Sequence, residues 1–275
     1  AYEVSECLVG SEMCIRDRDY NIDFLIAGLV FLIFLLIHFQ RYKKLNNISG
    51  RTFWFLIIAG IFDIIFDLLS SILLVKSNPA YNSWMIFFST MLYILQMIVV
   101  YIFYNYTQAL RHCDEDIRTR NIKIMAVPIL CMEVAIVTNV LHKQFFYCNE
   151  QGQYVHGKAY LVTYIFTLIC IAAVIINCFI NQEEYQKNEL RAIKEFLGVA
   201  LVCVTIQMKF QSVLMTGFGL SLGIMILFWA LYNPQLYIDS LTGLYSKGYF
   251  RRWFPEQIKR KKELHLLMIC LLYTS

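Results

Sequence analysis

With 275 residues, 59% of them apolar and only 16% charged, the chain is too hydrophobic for a soluble domain of its length. The formal charge is +4, and its meaning lies in where Lys and Arg fall relative to the apolar runs; no nucleic-acid partner is expected. The nine cysteines form no C-x-x-C pair and no Cys/His cluster with zinc spacing, so a metal centre or a disulfide framework is set aside.

Residues 1–18 differ from the rest: mixed charge, no periodicity and no starting Met. They resemble translated sequencing-adapter read-through, and Cys270 to Ser275 resembles the matching artefact at the other end. Both are expected to be non-native and are left out of the fold reasoning. The rival reading of the first segment is a genuine tail that packs on the protein.

Between the ends, apolar runs long enough to cross a bilayer as helix recur. The expected spans are Ile22 to Phe39, Thr52 to Val75, Ser83 to Thr107, Ile124 to His142, Tyr160 to Ile180, Phe196 to Gln207 and Val213 to Tyr232. Cys131, Cys170, Cys178 and Cys203 lie within them as small apolar fillers. Tyr101, Tyr104 and Tyr106 gather at one end of the third span, as at a membrane–water interface. Pro128 is placed near the start of the fourth span, where it costs little. Between spans four and five, Asn149 to Gly152 separates short aromatic and β-branched runs, which predicts a small hairpin. Tyr147, Glu150, Tyr154 and His156 of that loop lie close together, and the simpler reading is that the hairpin covers the end of the bundle. The expected fold is thus an all-α polytopic bundle of about seven transmembrane helices over residues 19–232, embedded in a lipid bilayer.

The segments after spans one, three and five carry four, four and three Lys or Arg. Those after spans two, four and six carry one, two and one. The positive-inside rule then puts the N-terminus outside and the C-terminus in the cytoplasm, which an odd number of spans also requires.

Asp63 and Asp67 are one helical turn apart in the second span, so they share a face. A carboxylate at mid-helix costs roughly 2.5–3.5 kcal/mol on insertion scales, so both are expected to face the bundle interior. They are either a site for a cationic ligand, a metal ion or a proton, or hydrogen-bonded packing residues. Glu133 in the fourth span is their expected third member. Gln96, Asn139, Asn177 and Gln207 are expected to join helices by hydrogen bonds. His38 is expected at the membrane interface. Gly217, Gly219 and Gly223 in the last span are read as small residues permitting close helix packing, and not as a helix break of the transporter kind.

Beyond Asn233-Pro234, a short linker over 233–238 leads to Asp239, Leu241, Thr242, Gly243, Leu244 and Phe250. These match the Asp-x-Leu-Thr-Gly-Leu-x-Asn-Arg-x-x-Phe signature that opens the GGDEF domain, so the chain resembles a membrane-bound diguanylate cyclase of the GGDEF family. Ser246 and Lys247 stand where the family has Asn and Arg. The resemblance implies that residues 239–275 begin an α/β domain, with a helix near Phe250, Trp253, Phe254 and Ile258 and a first strand at Leu264 to Cys270. It implies a bacterial inner-membrane location, a homodimer meeting through the cytoplasmic domain, and an unknown small-molecule signal. It also implies that the full-length parent condenses two GTP into cyclic di-GMP with Mg²⁺. The motif residues shape the fold; the residues that bind metal and nucleotide in the family lie downstream, so no catalytic residue is assigned here. The alternatives are a receptor with a degenerate, non-catalytic GGDEF domain, and a small-molecule transporter or channel.

Overall fold

The computed structural model describes residues 22–41, 48–76, 79–149, 154–210 and 213–232, together with Thr242, Leu244, Phe250, Phe254, His265 and Leu267. The chain divides into two units, Ala1–Ile226 and Leu227–Ser275. The segment 1–18, the linker 233–238, and Asp239, Leu241 and Gly243 of the motif lie outside the described residues.

The first unit is a helical bundle. In order come α1 (Asp23–Arg41), α2 (Ile48–Lys76), α3 (Asn82–Leu110), α4 (Glu115–Val137), the single turn α5 (Asn139–His142), a hairpin of β1 (Phe146–Cys148) and β2 (Tyr154–His156), α6 (Tyr160–Ile180), α7 (Lys187–Lys209) and α8 (Thr216–Tyr232), whose residues from Leu227 on belong to the second unit. Four helices, α1, α2, α3 and α6, are long and apolar enough to cross a membrane, which makes this a multi-pass membrane protein. At 29 residues each, α2 and α3 reach about 44 Å at 1.5 Å per residue, more than the ~30 Å hydrocarbon core. They must tilt or extend into the interface.

The remaining expected spans are helical but built differently. The segments 111–123 and 181–195, left between the expected spans, are largely helix: α4 starts at Glu115 and α7 at Lys187. Both stretches are free of Gly and Pro and rich in Arg, Lys and Glu, which favour helix. Glu115 and Asp116 suit the positive end of the α4 dipole. Because α4 begins so early, Pro128 lies in its interior and not near its start. It removes the N–H that would bond the Ile124 carbonyl. The outer face of α4 still carries exposed Ile124, Val127, Leu130, Val134 and Val137. A stripe of that size is a liability in water and an asset in lipid.

The α2 helix packs most extensively on α3 and also on α1, and α3 in turn meets α4 and α6. Leu32 of α1, Phe53, Leu56, Ile57 and Ile64 of α2, and Met97 and Tyr106 of α3 are all but inaccessible. Phe53 bridges α1 and α3, with its ring 5.1 Å from Phe39 and 5.4 Å from Tyr106. Phe103 stacks on Phe196 at 4.1 Å, joining α3 to α7.

The glycines of α8 serve packing, as expected. A Cβ on Gly219 would lie 2.6 Å from the Cys203 side chain, and one on Gly223 2.5 Å from the Phe196 ring. Only a hydrogen fits there, so α7 and α8 approach more closely than ordinary side chains allow.

In the second unit, the Thr242 hydroxyl accepts a 3.4 Å hydrogen bond from the Leu244 N–H, as a turn does. The Phe250 and Phe254 rings stack at 4.9 Å, the pairing expected one helical turn apart. His265 and Leu267 are in neither helix nor strand; the rest of the expected first strand lies outside the described residues.

Replacing Gly223 by Val should cost about 1–3 kcal/mol by overpacking the α7–α8 contact. Gly198 has open space around it, so Gly198→Ala should instead gain about 0.5–1 kcal/mol from helix propensity. Thermal unfolding of the two variants in detergent distinguishes them by opposite shifts of Tm.

A polar cavity beneath the hairpin

The α2 helix carries a polar stripe: Asp63, Asp67, Ser70 and Ser71 recur at helical spacing. All four are buried. Towards the hairpin end of the bundle, this stripe faces a cavity of about 140 Å³. Asp67, Ser70 and Ser71 form its α2 wall, and Ser89, Tyr93 and Gln96 form its α3 wall. Tyr160 and Tyr164 of α6 and Gln207 of α7 close the other sides, and Tyr154 and His156 of β2 close the end.

The hairpin reaches the cavity because of its register. Phe146 pairs with His156 and Cys148 with Tyr154, and alternation sends these four side chains to one face. Asn139 holds the base: its amide donates to the Phe146 carbonyl at 2.9 Å, and its oxygen accepts from the Phe145 N–H at 2.8 Å. Tyr93 stacks on Phe146 at 5.2 Å, and Phe146 on Tyr154 at 5.8 Å. His156 then meets Tyr154 edge-on at 5.1 Å and Tyr160 at 4.7 Å. An aromatic wall therefore runs from α3 through the hairpin to α6. The loop both covers the bundle end and lines the cavity. Burial pushes the Cys148 thiol above its ordinary pKa, so this hairpin cysteine is held as a neutral filler.

Ser70 and Ser89 share a 3.1 Å hydrogen bond between α2 and α3. The Gln207 oxygen accepts from the N–H groups of Met215 and Thr216 at 2.9 and 2.7 Å. It thereby satisfies two donors at the start of α8, so this cavity residue also joins α7 to α8.

The three acidic residues singled out from the sequence separate. Asp67 lines the cavity. Asp63 lies one turn deeper, 6% exposed, and its Oδ1 has no hydrogen-bond partner. Glu133 of α4 is half-buried and is not among the cavity residues. No group of three or more His, Cys, Asp or Glu suited to a metal ion occurs among the described residues. Asn177 links helices as expected, accepting from Gln108, whose own oxygen accepts from Asn121. His38 is half-buried and stacks on Phe34 at 4.4 Å.

At the opposite end of the bundle a second polar group went unread in the sequence. Arg111, just past α3, is 7% exposed and donates to the Glu184 carboxylate and, at 2.6 Å, to Asn181. The His112 N–H donates to the Glu184 carbonyl at 2.8 Å. Burial opposes the Arg111 charge, but the bond to Glu184 and the attraction of Cys113, Glu184 and Tyr185 together outweigh it and hold the guanidinium above its ordinary pKa. The loop after α6 is thus fastened to the end of α3, immediately before α7, where the Glu189 carboxylate accepts from the Gln186 N–H.

Comparison with known proteins finds no matching family model, no matching curated protein and no matching solved structure.

Removing Arg111 takes the donor from Glu184 and Asn181, both partly open to solvent, so Arg111→Ala should lower stability by about 0.5–1.5 kcal/mol. Arg111→Lys should restore only part of this, because an ammonium cannot reproduce the two-residue fork. Unfolding of both variants in matched detergent reads the difference.

Proposed function

We propose that this chain is the sensing part of a multi-pass membrane receptor. A small ligand enters the cavity from the outer side of the membrane, and the change in helix packing passes through α8 to a cytoplasmic output module. The observation that carries this reading is the confinement of the polar lining to the hairpin end. On the other side of Asp63 the α2 face continues as Ile57, Leu56 and Phe53, all fully buried. A polar cavity closed by such a plug suits a binding site better than a transport path, which needs polar access from both sides.

The direction of signalling rests on charge. Lys and Arg concentrate at the ends remote from the hairpin, which favours an outward-facing cavity and a cytoplasmic C-terminus. Seven crossings satisfy that orientation, with α4, α7 and α8 joining the four longer spans. The nature of the output rests on Asp239, Leu241, Thr242, Gly243, Leu244 and Phe250, which match the opening of a GGDEF domain. On this reading the full-length parent acts as a dimer and uses GTP and Mg²⁺ to make cyclic di-GMP; this stretch contributes control, not catalysis. The Ser246 and Lys247 departures favour a second output, a degenerate domain that signals by binding alone.

Two measurements test the proposal. A membrane-impermeant maleimide should label Lys158→Cys in intact cells and Thr119→Cys only after permeabilisation; the reverse pattern would invert the receptor. Expressed at equal levels, the full-length parent and its Asp67→Asn variant should give different cellular cyclic di-GMP. Equal, non-zero levels under all growth conditions would contradict control by the cavity, and absence of synthesis would select the degenerate domain.

A further inference from the structure

The lining of the cavity selects one class of ligand. Among the described residues, Asp67 is the only Asp or Glu in that lining, and no Lys or Arg lines it. The residue is 7% exposed, and its carboxyl group has no hydrogen bond or ion pair with the described residues. A buried carboxylate without a partner is costly and calls for a positive charge or a proton. The second carboxyl group, Asp63, lies one turn below on the same face of α2. An anionic ligand would meet both, and a purely apolar one would leave them unmatched.

The remaining walls narrow the cation. A tightly held divalent metal usually takes several carboxylate, imidazole or thiolate ligands, and no group of three or more His, Cys, Asp or Glu occurs among the described residues; Asp67 is the one carboxyl group among the described cavity residues. What surrounds Asp67 instead is aromatic: Tyr93, Tyr154, Tyr160 and Tyr164, with His156 between them. The Tyr93 and Tyr154 hydroxyls lie 3.4 Å apart, and Tyr160 meets Tyr164 edge-on at 6.5 Å. Aromatic faces around a carboxylate attract organic ammonium groups through the ring quadrupole. Ser70, Ser89 and Gln96 supply oxygens for N–H donors. A volume of about 140 Å³ limits the guest to a small molecule.

We propose that the cavity binds a small organic cation, an amine in its ammonium form, with Asp67 as counter-charge and the tyrosine wall as its aromatic face. This deepens the receptor reading and rests on the cavity being its ligand site.

The test uses the full chain in lipid nanodiscs at constant ionic strength. Ethanolamine hydrochloride and choline chloride are the cationic probes; ethylene glycol and 3,3-dimethyl-1-butanol are their uncharged counterparts; sodium chloride is the inorganic control. Tm and tyrosine fluorescence are followed on titration. At least one ammonium probe should raise Tm saturably, while its neutral counterpart and sodium do not. Asp67→Asn should weaken that binding by about tenfold or more, and Tyr164→Leu should weaken it while leaving the Tm of the free protein measurable. Preference for ethanolamine would assign the selectivity to the Ser and Gln oxygens, and preference for choline to the aromatic wall; either supports the proposal. It is overturned if neither ammonium probe binds, if the neutral counterparts bind equally well, or if Asp67→Asn and Tyr164→Leu both bind with unchanged affinity. Ammonium binding in this pattern without any change in cyclic di-GMP made by the parent would overturn the receptor reading and leave the ligand class standing.

Discussion

A carboxyl group inside a lipid-embedded bundle has to be matched, and much of this architecture follows from meeting that demand at one end. Asp63 and Asp67 lie on the inner face of α2, where hydrocarbon cannot solvate them. Around Asp67 the neighbouring helices turn polar residues inward: Ser89 and Gln96 from α3, Tyr160 and Tyr164 from α6, Gln207 from α7. The hairpin then closes the end, held by the two hydrogen bonds of Asn139. Below Asp63, Leu32, Phe53, Leu56, Ile57 and Met97 fill the interior with apolar and aromatic side chains.

The two ends of the bundle therefore do different work. At the far end, Arg111, Glu184 and Asn181 satisfy one another and fasten the loop between α6 and α7. At the hairpin end, Asp67 has no such partner and faces open volume. Gln207 belongs to both the cavity wall and the start of α8, through its bonds to Met215 and Thr216. Gly219 and Gly223 let α8 lie close against Cys203 and Phe196 of α7, as Gly217 does against Leu25 of α1 and Ile64 of α2. In the proposed mechanism a ligand held between Asp67 and the tyrosine wall acts on α8 through Gln207, which lines the cavity and holds the N–H groups at the start of α8.

The helices were legible because length and apolarity are properties of single segments. The expected limits of the fifth span coincide with α6, and the hairpin declared itself through turn residues between aromatic runs. The starts of α4 and α7 were not legible, since charged residues mark a helix leaving the membrane and a loop equally well; the interior position of Pro128 follows from that ambiguity. The inward position of Asp67 could be read from charge alone, but its companions could not. Ser70, Ser89, Tyr93 and Tyr164 are ordinary residues in apolar helices, and only the stripe spacing on α2, α3 and α6 hinted that they share an interior face. Glu133 shows the limit of the charge argument: it is half-buried and is not among the residues lining the cavity. Arg111 and Glu184 are 73 positions apart, and no local pattern pairs them.

The central claim is that a negatively charged, water-accessible cavity opens to the outer side of the membrane. Ser89 lies in its wall, so the rate at which Ser89→Cys reacts in intact cells tests the claim most directly. With membrane-impermeant methanethiosulfonates of similar size, the cationic reagent should modify it at least about tenfold faster than the anionic one, above the wild-type cysteine background. Reaction only after permeabilisation, or equal rates for the two charges, would contradict the account.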